Sequence, residues 1–187
     1  MPAPRILAFA GSARRESFNR KFLSIAVGEA RAGGAEVTAV NLGEDPFPLY
    51  EGDLEDKQGI PDPVLKLVTL IQGHQALLIA SPEYNSLITP LLKNTLDWCS
   101  RAEPNPFIGK VAAVITASPG AFGGVKSGLA ARQVLSRLGC LVIATECTLP
   151  RAHEAFDETG GLKNDHAFKT VHSVVAELIR TTLKLNA

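Results

Sequence analysis

Residues 5–19 read RILAFAGSARRESFN, and this stretch decides how the rest of the chain is interpreted. Its first six residues are mostly apolar, which is typical of a strand covered on both faces of a parallel sheet. One glycine then leads into serines, arginines and an asparagine, and apolar residues at helical spacing follow from about residue 17 to Gly33. A buried strand, a short polar loop and a helix predict the first unit of an α/β fold.

The same alternation continues along the whole chain. Further short apolar runs lie at 36–42, 76–81, 110–118 and 141–146. Helical patterns lie between or after them at 62–73, 88–100, about 124–138 and 162–184. Since a parallel connection usually needs a crossover helix, five strands and five helices predict one doubly wound parallel sheet over residues 1–187, with helices on both faces.

Composition narrows the classes of function. The chain has 187 residues, of which 45% are hydrophobic, and its 19 basic and 19 acidic residues cancel. Zero net charge disfavours nucleic acid or an anionic membrane as the main partner. The apolar run near the N-terminus is too short for a signal peptide, and no stretch reaches the roughly 18 apolar residues of a membrane span, so we expect a cytoplasmic protein.

Two stretches suggest contacts between subunits. Residues 41–63 contain four prolines and three glycines, which predicts an irregular loop at the ligand-binding edge of the sheet: an ordinary solvated loop, a lid or a contact with a partner. In the helix at 88–100, apolar residues cover most of the circumference, more than one buried face requires. This pattern favours a homo-oligomer, with both stretches at the subunit contact.

The loop after the first strand is suited to a phosphate group. Ser12, Ser17 and Asn19 carry polar donors, Arg14 offers a forked guanidinium, and the helix start leaves backbone N–H groups free. Only Gly11 of a GxGxxG pattern is present, and the second strand ends in Asn41, which favours a mononucleotide over a tightly bound dinucleotide. From these residues alone, a plain Ser17 helix cap with solvated arginines is the favoured interpretation, and a phosphate site is the alternative.

Two more polar loops follow the third and fourth strands. The sequence SPEYNS at 81–86 predicts a turn whose backbone groups and Tyr84 can meet the edge of a planar ring, or a tight turn with Tyr84 half-buried. In TASPGAFGGVKSG at 116–128, the glycines let the backbone approach a ligand closely. This loop misses the phosphate-binding pattern GxxxxGK[ST] because Val125 replaces a glycine, and a β-branched residue resists the positive φ that is commonly wanted there.

No metal site or catalytic nucleophile is apparent. Cys99, Cys140 and Cys147 form no CxxC pair, the four histidines show no metal-ligand spacing, and Ser118 does not lie in GxSxG. If the protein is an enzyme, a cofactor is expected to carry the chemistry.

Taken together, GSARRESFN, SPEYNSLITPLLKNTLDW and SPGAFGG resemble the NADPH-dependent FMN reductase family of flavodoxin-like proteins, which includes quinone, chromate and azo-dye reductases. The three motifs stand in the family's order and spacing. The resemblance implies a flavodoxin-like sheet of order 2-1-3-4-5 with bound FMN across its carboxyl edge. It implies the following cofactor-binding residues: Ser12, Arg14, Ser17 and Asn19 for the phosphate, with Phe18 in the same loop; Pro82, Glu83, Tyr84 and Asn85 for the ring; and Ser118, Gly120, Gly123 and Gly124 on the other side.

The resemblance also implies an activity. NADPH or NADH would give hydride to the flavin and leave, and a quinone, free flavin, chromate or azo-type acceptor would then bind the same site, a ping-pong sequence. Family members are commonly dimers or tetramers. The alternative is a flavodoxin-type FMN electron carrier without turnover of its own, although such carriers usually have a strongly acidic surface and this chain is neutral.

Overall fold

The computed structural model describes residues 2–186. The strands are β1 (Arg5–Ala10), β2 (Glu36–Val40), β3 (Ala76–Ala80), β4 (Glu83–Tyr84), β5 (Leu87–Ile88), β6 (Val111–Ala117), β7 (Leu141–Val142) and β8 (Cys147–Leu149). The helices are α1 (Phe18–Ala32), α2 (Gly52–Gln58), α3 (Asp62–Gly73), α4 (Pro90–Cys99), α5 (Val125–Arg137) and α6 (Asp165–Leu185).

The main sheet is parallel and has the predicted flavodoxin-like order. Its strands run β2-β1-β3-β6-β7, and β8 pairs with β6 beyond β7. One apolar cluster packs α1 and α6 against one face of the sheet, and a second packs α3, α4 and α5 against the other. Because β1, β3 and β6 are covered on both faces, they are almost entirely buried, whereas the edge strand β2 is half-exposed.

The fifth strand predicted at 141–146 is broken in two. Along β6, Val111 pairs with Leu141 and Ile115 pairs with Cys147, so four residue steps on one strand face six on the other. The two extra residues form a bulge, and the Glu177 carboxylate on α6 accepts hydrogen bonds from the backbone N–H groups of Ala144 and Thr145 there. The strand is therefore interrupted by a carboxylate from a distant helix. The apolar sequence at 141–146 contains no sign of this interruption.

The expectation of an entirely irregular segment at 41–63 was wrong, because α2 lies within it. The Glu51 side chain accepts hydrogen bonds from the N–H groups of Asp53 and Leu54 at 2.8 and 3.0 Å, which caps the start of this helix. Gly59, at a φ of 73°, follows its last turn.

The same segment covers the second apolar side of α4. Trp98 Nε1 and Asn94 Nδ2 each donate to the carbonyl of Pro48 at 2.9 Å, and the ring of Tyr50 packs edge-on against Trp98 with 5.0 Å between the ring centroids. Contacts within the chain thus account for the apolar circumference of α4, and no partner is needed to explain it. Over residues 2–186, no helix is long and apolar enough to cross a membrane.

Candidate functional site

Three loops meet at the carboxyl edge of the sheet, as parallel neighbouring strands require. They follow β1, β3 and β6, which lie side by side, and they enclose a pocket of about 110 Å³. The pocket is lined by Ser12, Arg14, Ser17, Phe18, Asn19, Pro82, Glu83, Tyr84, Ala117, Ser118 and Pro119. Nine of these are residues that the sequence predicted, and the structure brings them together from three separate segments.

A close approach to α4 fixes the exit of β1. The Thr89 hydroxyl donates to the carbonyl of Gly11 at 2.6 Å and also accepts from the N–H of Leu92, so it caps α4 and anchors the loop at once. A Cβ on Gly11 would lie 2.8 Å from the Leu92 Cβ, which only glycine avoids. The loop that carries Ser12 therefore starts from a rigid point.

The first loop offers hydrogen-bond donors to the pocket. The Ser17 hydroxyl accepts from the N–H of Arg20 at 3.4 Å, so Ser17 is a helix cap, as the interpretation without a phosphate site expected. The proton of the same hydroxyl remains free to donate to a ligand. The N–H groups of Ala13, Arg15 and Glu16, which belong to the same loop but not to the pocket lining, have no acceptor among the described residues. A helix cap and free hydrogen-bond donors therefore coexist in this loop, so the two interpretations do not exclude each other.

The charge of the first loop is positive. Glu16 pairs with Lys21 at 2.7 Å, and this hydrogen bond holds the pKa of the Glu16 carboxyl below its usual value. Arg14, which lines the pocket, is exposed and donates only a long 3.4 Å bond to the Glu16 carbonyl. The unpaired Arg14 guanidinium and the free Ser17 hydroxyl proton make this wall suitable for a phosphate.

Asn19 has a structural task besides lining the pocket. Its Nδ2 donates to the carbonyl of Ala117 at 2.7 Å, and its Oδ1 accepts from the N–H of Ala117 at 3.0 Å. The amide is 4% exposed and joins the first turn of α1 to the end of β6. One amide proton remains for a ligand, so Asn19 mainly positions the first loop against the third.

The second loop is a β-hairpin, which the sequence had indicated only as a turn. Strands β4 and β5 pair antiparallel, and Asn85 and Ser86 form the turn with φ values of 50° and 68°. Two positive φ angles in a two-residue loop are typical of hairpins that follow the right-handed twist of the strands. Tyr84 lines the pocket with 51% of its surface exposed, while Asn85 is exposed in the turn and is not among the lining residues.

The hairpin is anchored to the start of α5 through Glu83. Its Oε2 accepts from the N–H groups of Lys126 and Ser127 at 3.1 and 3.2 Å. The Ser127 hydroxyl donates to the carbonyl of Pro82 at 2.8 Å, and Lys126 Nζ reaches the Ser86 hydroxyl at 3.1 Å. The Glu83 carboxylate therefore caps a helix and fixes the position of Tyr84.

The third loop contributes a wall, but its glycines mostly serve the fold. A Cβ on Gly123 would lie 2.8 Å from the backbone nitrogen of Pro150, and the Gly123 carbonyl accepts from Thr116 at 2.7 Å. Gly120, Gly123 and Gly124 are absent from the pocket lining, which instead includes Ala117 and Pro119 beside Ser118. Sequence reasoning missed these two residues, although both flank Ser118 in the loop it had singled out.

The arrangement fits a phosphate-bearing planar ligand. Donors converge on one wall of the pocket, Tyr84 and Phe18 supply aromatic surface, and the one carboxylate lining it, that of Glu83, is already bound to α5. FMN has this chemistry, a phosphate at one end and a flat ring at the other.

Comparison with known proteins agrees with this geometry. Residues 4–154 match the model of the NADPH-dependent FMN reductase family. An NAD(P)H-dependent FMN reductase of Pseudomonas aeruginosa is 34% identical over 175 residues, covering 93% of this chain and 92% of that protein. An NADPH:quinone oxidoreductase of Arabidopsis thaliana is 33% identical over 189 residues, covering 98% and 94%.

A solved structure supports the same assignment. The flavoenzyme NAD(P)H:(acceptor) oxidoreductase FerB of Paracoccus denitrificans superposes with a TM-score of 0.85 at 27% identity, over 97% of this chain and 98% of that one. The chain belongs to the NADPH-dependent FMN reductase family and is an oxidoreductase with FMN and NAD(P)H as its cofactors.

Proposed function

We propose that the protein is an FMN-dependent NAD(P)H oxidoreductase whose cofactor occupies the pocket at the carboxyl edge of the sheet. The observation that carries this proposal is the convergence of a donor-rich loop, an aromatic hairpin and the end of β6 on one pocket. We assign the phosphate to Ser12, Arg14 and Ser17, and the ring to the hairpin at Pro82–Asn85 and to the loop at Ser118–Gly124. Asn19 and Glu83 hold these loops in place through the backbone groups that they bond.

When bound, FMN supplies reversible hydride transfer, so the protein itself needs no acid–base residue. Tyr84 leaves half of its surface exposed at the pocket, which suits an open ring face where a planar partner can stack. NAD(P)H and the acceptor would use that face in turn, which gives ping-pong kinetics. We propose quinones as the first acceptors, because relatives of this chain are named quinone reductase and NADPH:quinone oxidoreductase. The same open ring face would also accept free flavins, chromate and azo-type compounds.

The alternative is a flavodoxin-type electron carrier without turnover. Zero net charge and the arginines of the first loop disfavour it, since such carriers usually present an acidic surface to their partners. Steady oxidation of NADPH with a simple quinone distinguishes the reductase from the carrier.

Spectroscopy and thermal unfolding test the cofactor site directly. The purified protein should show flavin absorption or gain it on FMN addition, and FMN at 100 times its dissociation constant should stabilise it by about 2.7 kcal/mol. A protein with no flavin spectrum and no change in unfolding on FMN addition would contradict the proposal.

We also propose a homodimer or homotetramer whose subunit contact is formed by the 41–60 segment, which lies over α4. The support is Leu49, which lies on the segment that covers α4 and is 76% exposed. A cytoplasmic location remains a prediction of the sequence.

A further inference from the structure

The hairpin of the second loop carries a leucine, Leu87, that is 60% exposed. Tyr84 and Leu87 lie directly opposite each other in the antiparallel pair of β4 and β5. Side chains at opposite positions share one face of a hairpin, with their Cβ atoms about 5 Å apart. Because Tyr84 lines the pocket, Leu87 stands beside a residue of the pocket wall.

The two faces of the hairpin have different tasks. Glu83 and Ile88 form the other opposing pair, and successive residues of a strand point to opposite faces. Ile88 packs against the apolar cluster of α3, α4 and α5, and Glu83 binds the start of α5. The fold therefore uses the face of Glu83 and Ile88, and it leaves Tyr84 and Leu87 more than half exposed on the other face.

Exposed apolar surface is concentrated on the loops around the pocket. Single exposed leucines are normal on a protein surface, but three of the ten large exposed hydrophobic side chains among the described residues are Tyr84, Leu87 and Phe122. Phe122, in the third loop, is 77% exposed. A Cβ on the nearby Gly124 would lie 3.8 Å from the Cβ of Glu83, so the second and third loops are in contact. Grouped apolar residues of this kind mark a binding surface.

The charged groups near the hairpin are engaged with partners. The Glu83 carboxylate accepts from two N–H groups of α5, and Lys126 Nζ donates to the Ser86 hydroxyl at 3.1 Å. The face shared by Tyr84 and Leu87 therefore includes no charged side chain of β4 or β5. A small dianion gains nothing from such a face, whereas an alkyl or prenyl chain is removed from water there.

We propose that Leu87 is a specificity residue of the acceptor site, and that it binds an apolar chain attached to a quinone ring. The inference rests on the proposed function, because it takes the flavin ring to lie against the hairpin at Pro82–Asn85. A quinone ring stacked beside Tyr84 places its substituent within reach of Leu87. The favoured acceptors are then quinones with an alkyl or prenyl chain of several carbons, rather than unsubstituted quinones.

The ratio of kcat/KM for two quinones tests the inference. Methyl-benzoquinone and pentyl-benzoquinone share the reacting ring and differ only in the length of the apolar chain. Each serves as the acceptor for NADPH oxidation by the full-length, FMN-loaded protein. The variants are Leu87→Ser, which removes the apolar surface, and Leu87→Met, which keeps it. The matched control is Leu185→Ser, because Leu185 lies at the end of α6 and is 58% exposed.

We expect the wild type to favour pentyl-benzoquinone about fivefold, since an open face removes only part of the added chain from water. Leu87→Ser should abolish most of this preference, while Leu87→Met and Leu185→Ser should keep it.

Three results would overturn the inference alone: no preference in the wild type, the same preference in Leu87→Ser, or an equal loss of preference in Leu185→Ser. A fall in kcat/KM that is equal for both quinones in Leu87→Ser leaves the ratio unchanged and counts as the second of these. Failure of the wild type to oxidise NADPH with either quinone overturns the proposed function instead.

Discussion

The side chain of Asn19 and the backbone of Ala117 exchange two hydrogen bonds across 98 residues of sequence. The Asn19 Nδ2 donates to the Ala117 carbonyl at 2.7 Å, and the Asn19 Oδ1 accepts from the Ala117 N–H at 3.0 Å. This pairing sets the distance between the first and third loops of the proposed cofactor pocket. The geometry of the pocket thus depends on a residue that spends most of its bonding capacity on the fold.

Replacing Asn19 by alanine should lower the free energy of unfolding by about 2–3 kcal/mol. The change leaves a buried N–H and a buried carbonyl without partners, each at a cost of about 1–3 kcal/mol. Urea unfolding measures the loss, with Arg15→Ala as a control because Arg15 is exposed in the same loop. A loss for Asn19→Ala no larger than for the control would show that the pairing does not hold the loops together.

Replacing Arg14 by alanine should weaken FMN binding about tenfold and riboflavin binding by less than twofold. Only FMN carries the phosphate, and a charge-assisted hydrogen bond at a partly exposed site contributes about 1–2 kcal/mol. Fluorescence titration of both flavins measures the difference, and Arg15→Ala is the matched control because Arg15 does not line the pocket. Equal losses for the two flavins would place the phosphate elsewhere.

The parallel doubly wound sheet and the three site loops could be predicted from the sequence because both depend on local patterns, whereas the order of the strands was implied by the family resemblance. Buried parallel strands are continuous apolar runs, and the loops that leave their carboxyl ends must share one edge. Nine of the predicted site residues accordingly line one pocket. The glycines of the third loop were harder to place, since Gly123 packs against the backbone of Pro150 rather than a ligand.

What the sequence could not show depends on contacts between distant segments. The bulge after β7 is held by Glu177, more than thirty residues away in α6. The apolar circumference of α4 is covered by the segment around Pro48 and Tyr50. The composition of each element shows how much surface it buries, but not which segment covers that surface.

Replacing Glu83 by alanine should destabilise the protein by about 1 kcal/mol. The resemblance implies a place for Glu83 beside the flavin ring, and in the structure its carboxylate also accepts from two N–H groups at the start of α5. A carboxylate at that position stabilises a helix by roughly this amount. Thermal unfolding measures the effect, and Glu158→Ala, at an exposed glutamate, is the control. An effect no larger than the control's would remove Glu83 as a helix cap.

Replacing Leu49 by glutamate should dissociate the proposed oligomer. Leu49 is 76% exposed on the segment that covers α4, and a carboxylate there would have to be desolvated at a subunit contact. Light scattering should give at least twice the monomer mass for the wild type and a lower mass for the variant. Leu185→Glu, at an exposed leucine at the end of α6, is the control. A monomeric wild type would contradict the proposed assembly.

Replacing Glu177 by glutamine should cost stability at neutral pH and little in acid. The Thr145 hydroxyl, followed by the N–H groups of Thr145 and Ala144, donates to this carboxylate and lowers its pKa, against a smaller opposing effect of burial. A carboxyl whose pKa is lower in the folded state stabilises the fold above its unfolded pKa of about 4.3, and the contribution disappears as the pH falls through the folded pKa.

We expect a difference of about 1 kcal/mol between wild type and variant at pH 7, in keeping with hydrogen bonds to a charged but partly exposed group. Urea unfolding at pH 7, 5, 4 and 3 should show that difference shrinking below pH 4.5, while Glu158→Gln changes little at any pH. A difference that stays constant from pH 7 to pH 3 would mean that the charge of Glu177 does not stabilise the bulge, and that its shape alone does.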